Sequence, residues 1–169
     1  MRKAVLLVLL SLAVDTAWAQ VFSGNSPSIR WQMLKQQRFS VIFPTDQAAA
    51  AQRVAAIIQR INQQNDSSIG SKRKNLPIVL QPETTVSNGY VSLAPFRAEF
   101  MMTAPADPFD QGSIPWIDQL ALHEYRHAEQ YSNFNRGLAK AFYFLLGQQG
   151  QAFANALSVP DWFFEGDAE

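Results

Sequence analysis

Two histidines spaced four residues apart carry the chemistry of this 169-residue chain. His123 and His127 lie in the run His-Glu-Tyr-Arg-His and are the only histidines present. On a helix, residues four apart leave the same face, so both imidazoles can converge on one cation. Glu124 follows the first histidine, where its carboxylate can reach a water held by that cation and serve as general base. Catalytic zinc takes three protein ligands and keeps one position for water. With no cysteine and no third histidine in the chain, the third ligand is expected to be a carboxylate. Glu165, directly after the aromatics Trp162, Phe163 and Phe164, is the first choice, with Asp167 and Glu169 as rivals. Glu169 lies one turn beyond Glu165 and is also expected to hydrogen-bond the outer nitrogen of a histidine. Gly166 is read as room for a close approach to the histidine helix.

These residues must be positioned by a single domain. Residues 1–19 read as a secretory signal peptide: a basic start at Arg2-Lys3, an apolar run, and the small-x-small site Ala17-Trp18-Ala19. The apolar run is too short to span a membrane comfortably, so the mature chain, 20–169, is expected to be exported to the periplasm or beyond. Without Arg2, Lys3 and Asp15 the 14 basic and 14 acidic residues fall one negative charge from neutrality. Nothing in that balance suggests a nucleic-acid partner or an anionic membrane. An exported chain without disulfides depends on its core, helped by any bound metal.

Along the chain, Phe39, Val41 and Phe43 alternate with Ser40 and Ile42, a strand stopped by Pro44. Thr45-Asp46 offers a helix cap, and Val54, Ile57, Ile58 and Ile61 recur at helical spacing. The basic cluster Lys72-Arg73-Lys74 reads as a solvated loop tip. Strands are expected at 78–80, 90–94 and 96–102, with a turn at Ser87-Asn88-Gly89 before the second. The third, with Arg97 and Glu99 on a wet face, is expected at the edge of the sheet. The histidine helix opens at Pro115 and runs to about residue 131. A further apolar helix covers 138–146, is interrupted by Gly147 and Gly150, and resumes over 151–157. A last short element follows Pro160-Asp161, with its aromatics buried. The order predicts an α+β domain with a small mixed sheet packed against helices.

The histidine run, followed by Pro160-Asp161-Trp162-Phe163-Phe164-Glu165-Gly166, resembles the gluzincin metallopeptidases, which include thermolysin-like and aminopeptidase-N-like domains. More closely it is similar to the bacterial peptidase MA-like exported domains, whose later helix reads Trp-x-x-Glu-Gly; some precede a TolB-like propeller. The lead-in Ile29-Arg30-Trp31 and the strand after it are also similar to those domains. The resemblance implies a zincin-like fold in which His123, His127 and Glu165 hold Zn2+ and Glu124 is general base and acid. It implies that the strand bearing Ala98, Glu99 and Phe100 binds an extended peptide or protein substrate. Two features depart from it. The spacing from His127 to Glu165 is longer than in the thermolysin-like and aminopeptidase-N-like enzymes, so residues 138–157 read as an insertion. Tyr125, Tyr131 and Tyr143 are available to stabilise an oxyanion, and the motif selects none of them.

The expected activity is zinc-dependent hydrolysis of peptide bonds. Endopeptidase and aminopeptidase chemistry both stay open, with Glu99 as an acid that could hold a substrate amine. The alternative is a non-catalytic, zinc-stabilised binding or scaffold domain preceding a partner domain such as a propeller. The resemblance also leads to the expectation that the chain is the amino-terminal part of a longer enzyme, able to bind zinc and itself inactive.

Overall fold

A computed structural model describes residues 25–64, 69–107 and 113–168. The signal-peptide residues 1–19 and Glu169 lie outside the described residues. Five strands form one mixed sheet: β1 (Trp31–Lys35), β2 (Phe39–Pro44), β3 (Leu76–Gln81), β4 (Gly89–Leu93) and β5 (Phe96–Met101), in the order β1-β2-β3-β5-β4. β2, β3 and β5 run parallel, and β1 and β4 close the two edges in antiparallel pairing. Parallel neighbours need a crossover, which α1 (Ala48–Gln64) supplies between β2 and β3. α2 (Trp116–Asn133) carries the histidines, followed by α3 (Gly137–Ser158) and α4 (Asp161–Ala168). The α+β class with a small mixed sheet is therefore as expected.

The core explains this arrangement. Phe39, Val41 and Phe43 of β2, Ile78 and Leu80 of β3, and Ala98 and Phe100 of β5 all point to one face. Ala51, Val54, Ala55 and Ile58 of α1 and Leu120, Ala121, Tyr125 and Ala128 of α2 cover it. The alanines let both helices lie close to the sheet, so the histidine helix is seated by apolar burial along its length. Trp116 adds a hydrogen bond from its indole Nε1 to the Met101 carbonyl (2.9 Å) at the start of α2.

Several expectations are corrected. β5 is an interior strand, bonded to β3 and β4, and the sheet edge beside the helices is β4. Arg97 and Glu99 alternate with the buried Phe96, Ala98 and Phe100 because they point away from the core face, which gives the same pattern as an edge. β1 went unrecognised because four of its five residues are exposed and no apolar stripe marks it. Thr45-Asp46 forms a 3-10 turn without a side-chain cap, and the Thr45 hydroxyl donates instead to the Arg30 carbonyl (2.9 Å). The basic cluster is not a solvated tip. The Arg73 side chain is only 8% exposed and pairs with Glu129, and Lys74 reaches Gln151.

α3 turns back on itself at Gly147, whose φ of 63° lies in the left-handed region that favours glycine. The Phe142 and Phe153 rings are 5.9 Å apart, whereas eleven residues of continuous helix would span about 16 Å. Gly150 permits the fold-back, because a Cβ there would lie 2.2 Å from the Phe142 carbonyl oxygen. No helix among the described residues is long and apolar enough to cross a membrane.

Candidate metal centre

His123 and His127 leave one face of α2 with their rings edge to face, 4.6 Å between centroids. Their Nε2 atoms are 3.1 Å apart. Glu165 of α4 brings Oε2 to 3.4 Å from His123 Nε2 and 3.7 Å from His127 Nε2. The three residues nominated as ligands thus meet, each offering one atom within 4.8 Å of the others, and could hold a metal ion.

The outer nitrogen of His127 shows how the ring is set. Gln130 Oε1 lies 2.9 Å from His127 Nδ1. Its Nε2 already donates to the Phe164 carbonyl and to Asp167 Oδ2, both at 2.9 Å. The Gln130 oxygen therefore accepts a hydrogen bond from the Nδ1–H, which turns Nε2 toward the cluster as the acceptor nitrogen. At His127 this bond comes from an amide one turn along the same helix, while Glu169 lies outside the described residues.

Asp167 stands outside the three-residue cluster and is engaged elsewhere. Arg126 holds it in a two-pronged bond at 2.8 and 2.9 Å. That bond holds its carboxyl below the usual range, with Gln130 adding to it against the opposing effect of burial. Arg126 also reaches Glu129 (3.2 Å), which in turn pairs with Arg73 from the loop before β3. A chain of four alternating charges thus links that loop to α4. Phe164 completes the attachment, its ring 5.6 Å from both Tyr131 and Phe134. Trp162 and Phe163 do not bury α4 as expected, being 74% and 38% exposed. Gly166 has no neighbour within 4 Å of where a Cβ would stand, so it permits no close approach.

Glu124 sits beside the cluster, 4% exposed, with Oε2 lacking any partner. Burial first, and the Glu165 carboxylate second, push its carboxyl up to about 7. The place where it lies is made by Gly89 at the start of β4. A Cβ on Gly89 would come within 2.7 Å of Glu124 Oε1 and 2.6 Å of Leu120 Cδ2. Gly89 reads as a turn residue from sequence; a glycine within a strand is equally the mark of a close backbone approach.

A cleft of about 490 Å³ opens over these groups. Its floor is His123, Glu124, His127 and Tyr131 of α2, one wall is β4, and the other comes from α3 and α4. Ala98, Glu99 and Phe100 do not line it. Ala98 and Phe100 are buried in the core, and Glu99 is held by Arg97 (2.6 Å) and Gln81 (2.9 Å). Burial alone would raise the Glu99 carboxyl, but bonds from Arg97, Tyr90 and Gln81 outweigh it and hold it low. Of the three tyrosines considered, Tyr125 bonds Asn62 (2.7 Å) and Tyr143 lies near the Lys74 ammonium. Tyr131 lines the cleft. Burial, then the Glu165, Glu124 and Asp161 charges, raise its hydroxyl above the ordinary value, so it stays a proton donor. Its place, four residues after His127, was a legible signal.

Set against known proteins, the chain matches no family model and no curated protein sequence.

Proposed function

We propose that the chain is an exported, zinc-dependent metallopeptidase of zincin-like architecture. The observation that carries the reading is the meeting of His123 Nε2, His127 Nε2 and Glu165 Oε2 beside the buried, unpartnered carboxylate of Glu124. Donor atoms of a tetrahedral zinc site are separated by about 3.3–3.6 Å for bonds of about 2.0–2.2 Å. The spacings here, 3.1, 3.4 and 3.7 Å, bracket that range. Three protein ligands leave a position for a fourth, which favours catalysis over a closed structural site. The basic, apolar and small-x-small segments of residues 1–19 support export.

Zinc held by these residues would supply a Lewis acid that polarises the scissile carbonyl and acidifies water. Glu124 takes a proton from the attacking water and hands it to the leaving amine, so the group ends as it began. Its Oε2, buried beside the cluster and bonded to nothing else among the described residues, is the atom that takes this proton. Tyr131 donates a hydrogen bond to the carbonyl oxygen as negative charge develops there. β4, not β5, offers its free backbone edge to the extended substrate.

Glu124→Gln is expected to keep one zinc per chain and to lower hydrolysis of labelled casein at least ~100-fold, a typical loss for a general base. Full activity in that variant would remove Glu124 from the mechanism. Absence of both zinc and hydrolysis from the wild type would remove the reading itself. A second reading, a zinc-stabilised scaffold domain, is favoured by the exposed apolar side chains Phe144, Leu145, Leu146 and Trp162 on α3 and α4. It predicts bound zinc with no hydrolysis.

A further inference from the structure

Among the described residues four amide side chains are almost wholly buried, and three have partners for both oxygen and nitrogen. Gln130 bonds His127, Phe164 and Asp167. Gln151 accepts from the Lys74 ammonium (3.2 Å) and donates to the Tyr131 carbonyl (2.9 Å). Asn133 accepts from the Lys72 amide and donates to the Lys72 and Glu129 carbonyls. The fourth, Asn155, is 2% exposed, and neither its Oδ1 nor its Nδ2 has a partner. Buried amides are normally paired, and one with donor and acceptor both orphaned is an exception that asks for a cause.

Asn155 lies on the second limb of α3 and lines the cleft together with Gly89, Tyr90, Val91 and Leu93 of β4. Ala152 and Ala156 line it too. Three and four residues apart on one helix, these positions share a face, so the cleft wall around the carboxamide is built of methyl groups. That face leaves room for a main chain to approach and gives little for a large side chain to grip. Asn155 also borders a smaller cavity, beside Asn133 and Ser158. The cleft is the side on which the metal ligands and Glu124 stand.

We infer that Asn155 is a substrate-contacting residue whose carboxamide holds one peptide group of the chain to be cleaved. A peptide group presents one C=O and one N–H, which is what an unpaired Nδ2 and Oδ1 require. A substrate strand bonded along one side to β4 has its other main-chain edge turned toward α3, so Asn155 clamps from across the cleft. The substrate class this selects is an extended main chain, recognised without regard to one side chain. The inference rests on the peptidase reading above and deepens it.

The test uses the zinc-loaded full chain, with Asn155→Ala and the near-isosteric Asn155→Leu. A quenched fluorogenic peptide taken from a casein cleavage site gives KM and kcat. Binding of the same peptide, uncleaved, is read by fluorescence anisotropy in a Glu124→Gln background. Both Asn155 variants are expected to weaken peptide binding about 10-fold or more, the scale of a lost hydrogen-bonded pair. Zinc content should be unchanged, and thermal stability equal to or above the parent, because the free protein has no bond there to lose. Unchanged peptide affinity and KM, with a stability loss of several degrees, would mean that Asn155 serves the fold or a fixed water, and the inference fails. A wild type that binds zinc but neither binds nor cleaves peptide sinks the peptidase reading instead.

Discussion

The two helices that meet at the candidate metal centre are held in opposite ways. α2 buries Leu120, Ala121, Tyr125 and Ala128 against the sheet and α1, so its histidines are fixed by the same burial that folds the domain. α4 has eight residues and buries none of them. Its grip comes from the Phe164 ring and from Asp167 on Arg126 and Gln130. The difference shows in the ligands: the His127 side chain is 12% exposed and that of Glu165 is 63%. Two of the candidate ligands are preorganised by the core, and the third is delivered by a small clamp that a bound cation would reinforce.

The sharpest way to break this comparison is to remove one ligand from each side. His127→Ala should abolish stoichiometric zinc binding, measured by metal analysis after gel filtration. Glu165→Ala should leave weak binding by the two fixed imidazoles, seen in a chelator competition. Equal losses would mean that α4 is as firmly built as α2. Next in size is the core itself. Leu120→Ala should cost ~2–5 kcal/mol in urea unfolding, whereas Trp162→Ala, exposed on α4, should fall within ~0.5 kcal/mol. A third substitution attacks the clamp alone. Asp167→Asn should weaken zinc ~10–100-fold, the usual penalty for a lost supporting bond, with little change in the urea midpoint of the metal-free protein.

The smallest effect sharpens the contrast from outside both helices. Glu99, on the open face of the sheet, has its carboxyl held below its usual range by Arg97, Tyr90 and Gln81. A depressed carboxyl contributes stability that is present above its unfolded value of about 4.3 and is lost as pH falls through the folded value. The stability difference between wild type and Glu99→Gln should therefore be flat near neutrality and shrink below about pH 4. A difference that persists in acid would assign the effect to packing.

What could be read from sequence follows the range of each signal. His123, Glu124 and His127 are legible because a helix fixes their relation within five residues. Glu165 follows from the poverty of other donors. Gly89, Arg73, Gln130 and Asn155 were missed because their roles exist only when separate segments meet. Nothing local says that a glycine faces a carboxylate from a helix, or that a basic loop residue will be covered. β5 was taken for an edge because alternation reports which side chains are wet. It carries no information about how many neighbours the backbone has.

The chain of charges Arg73–Glu129–Arg126–Asp167 has one further consequence. It is balanced, two of each sign, and its inner pair, Arg73 and Glu129, is nearly sealed from water, so deleting either of these two strands the other. Drift at these positions is thus constrained to move in matched steps. An engineer could replace Arg73 and Glu129 together by apolar residues of similar size, yet neither alone without disturbing a ligand that both are far from touching.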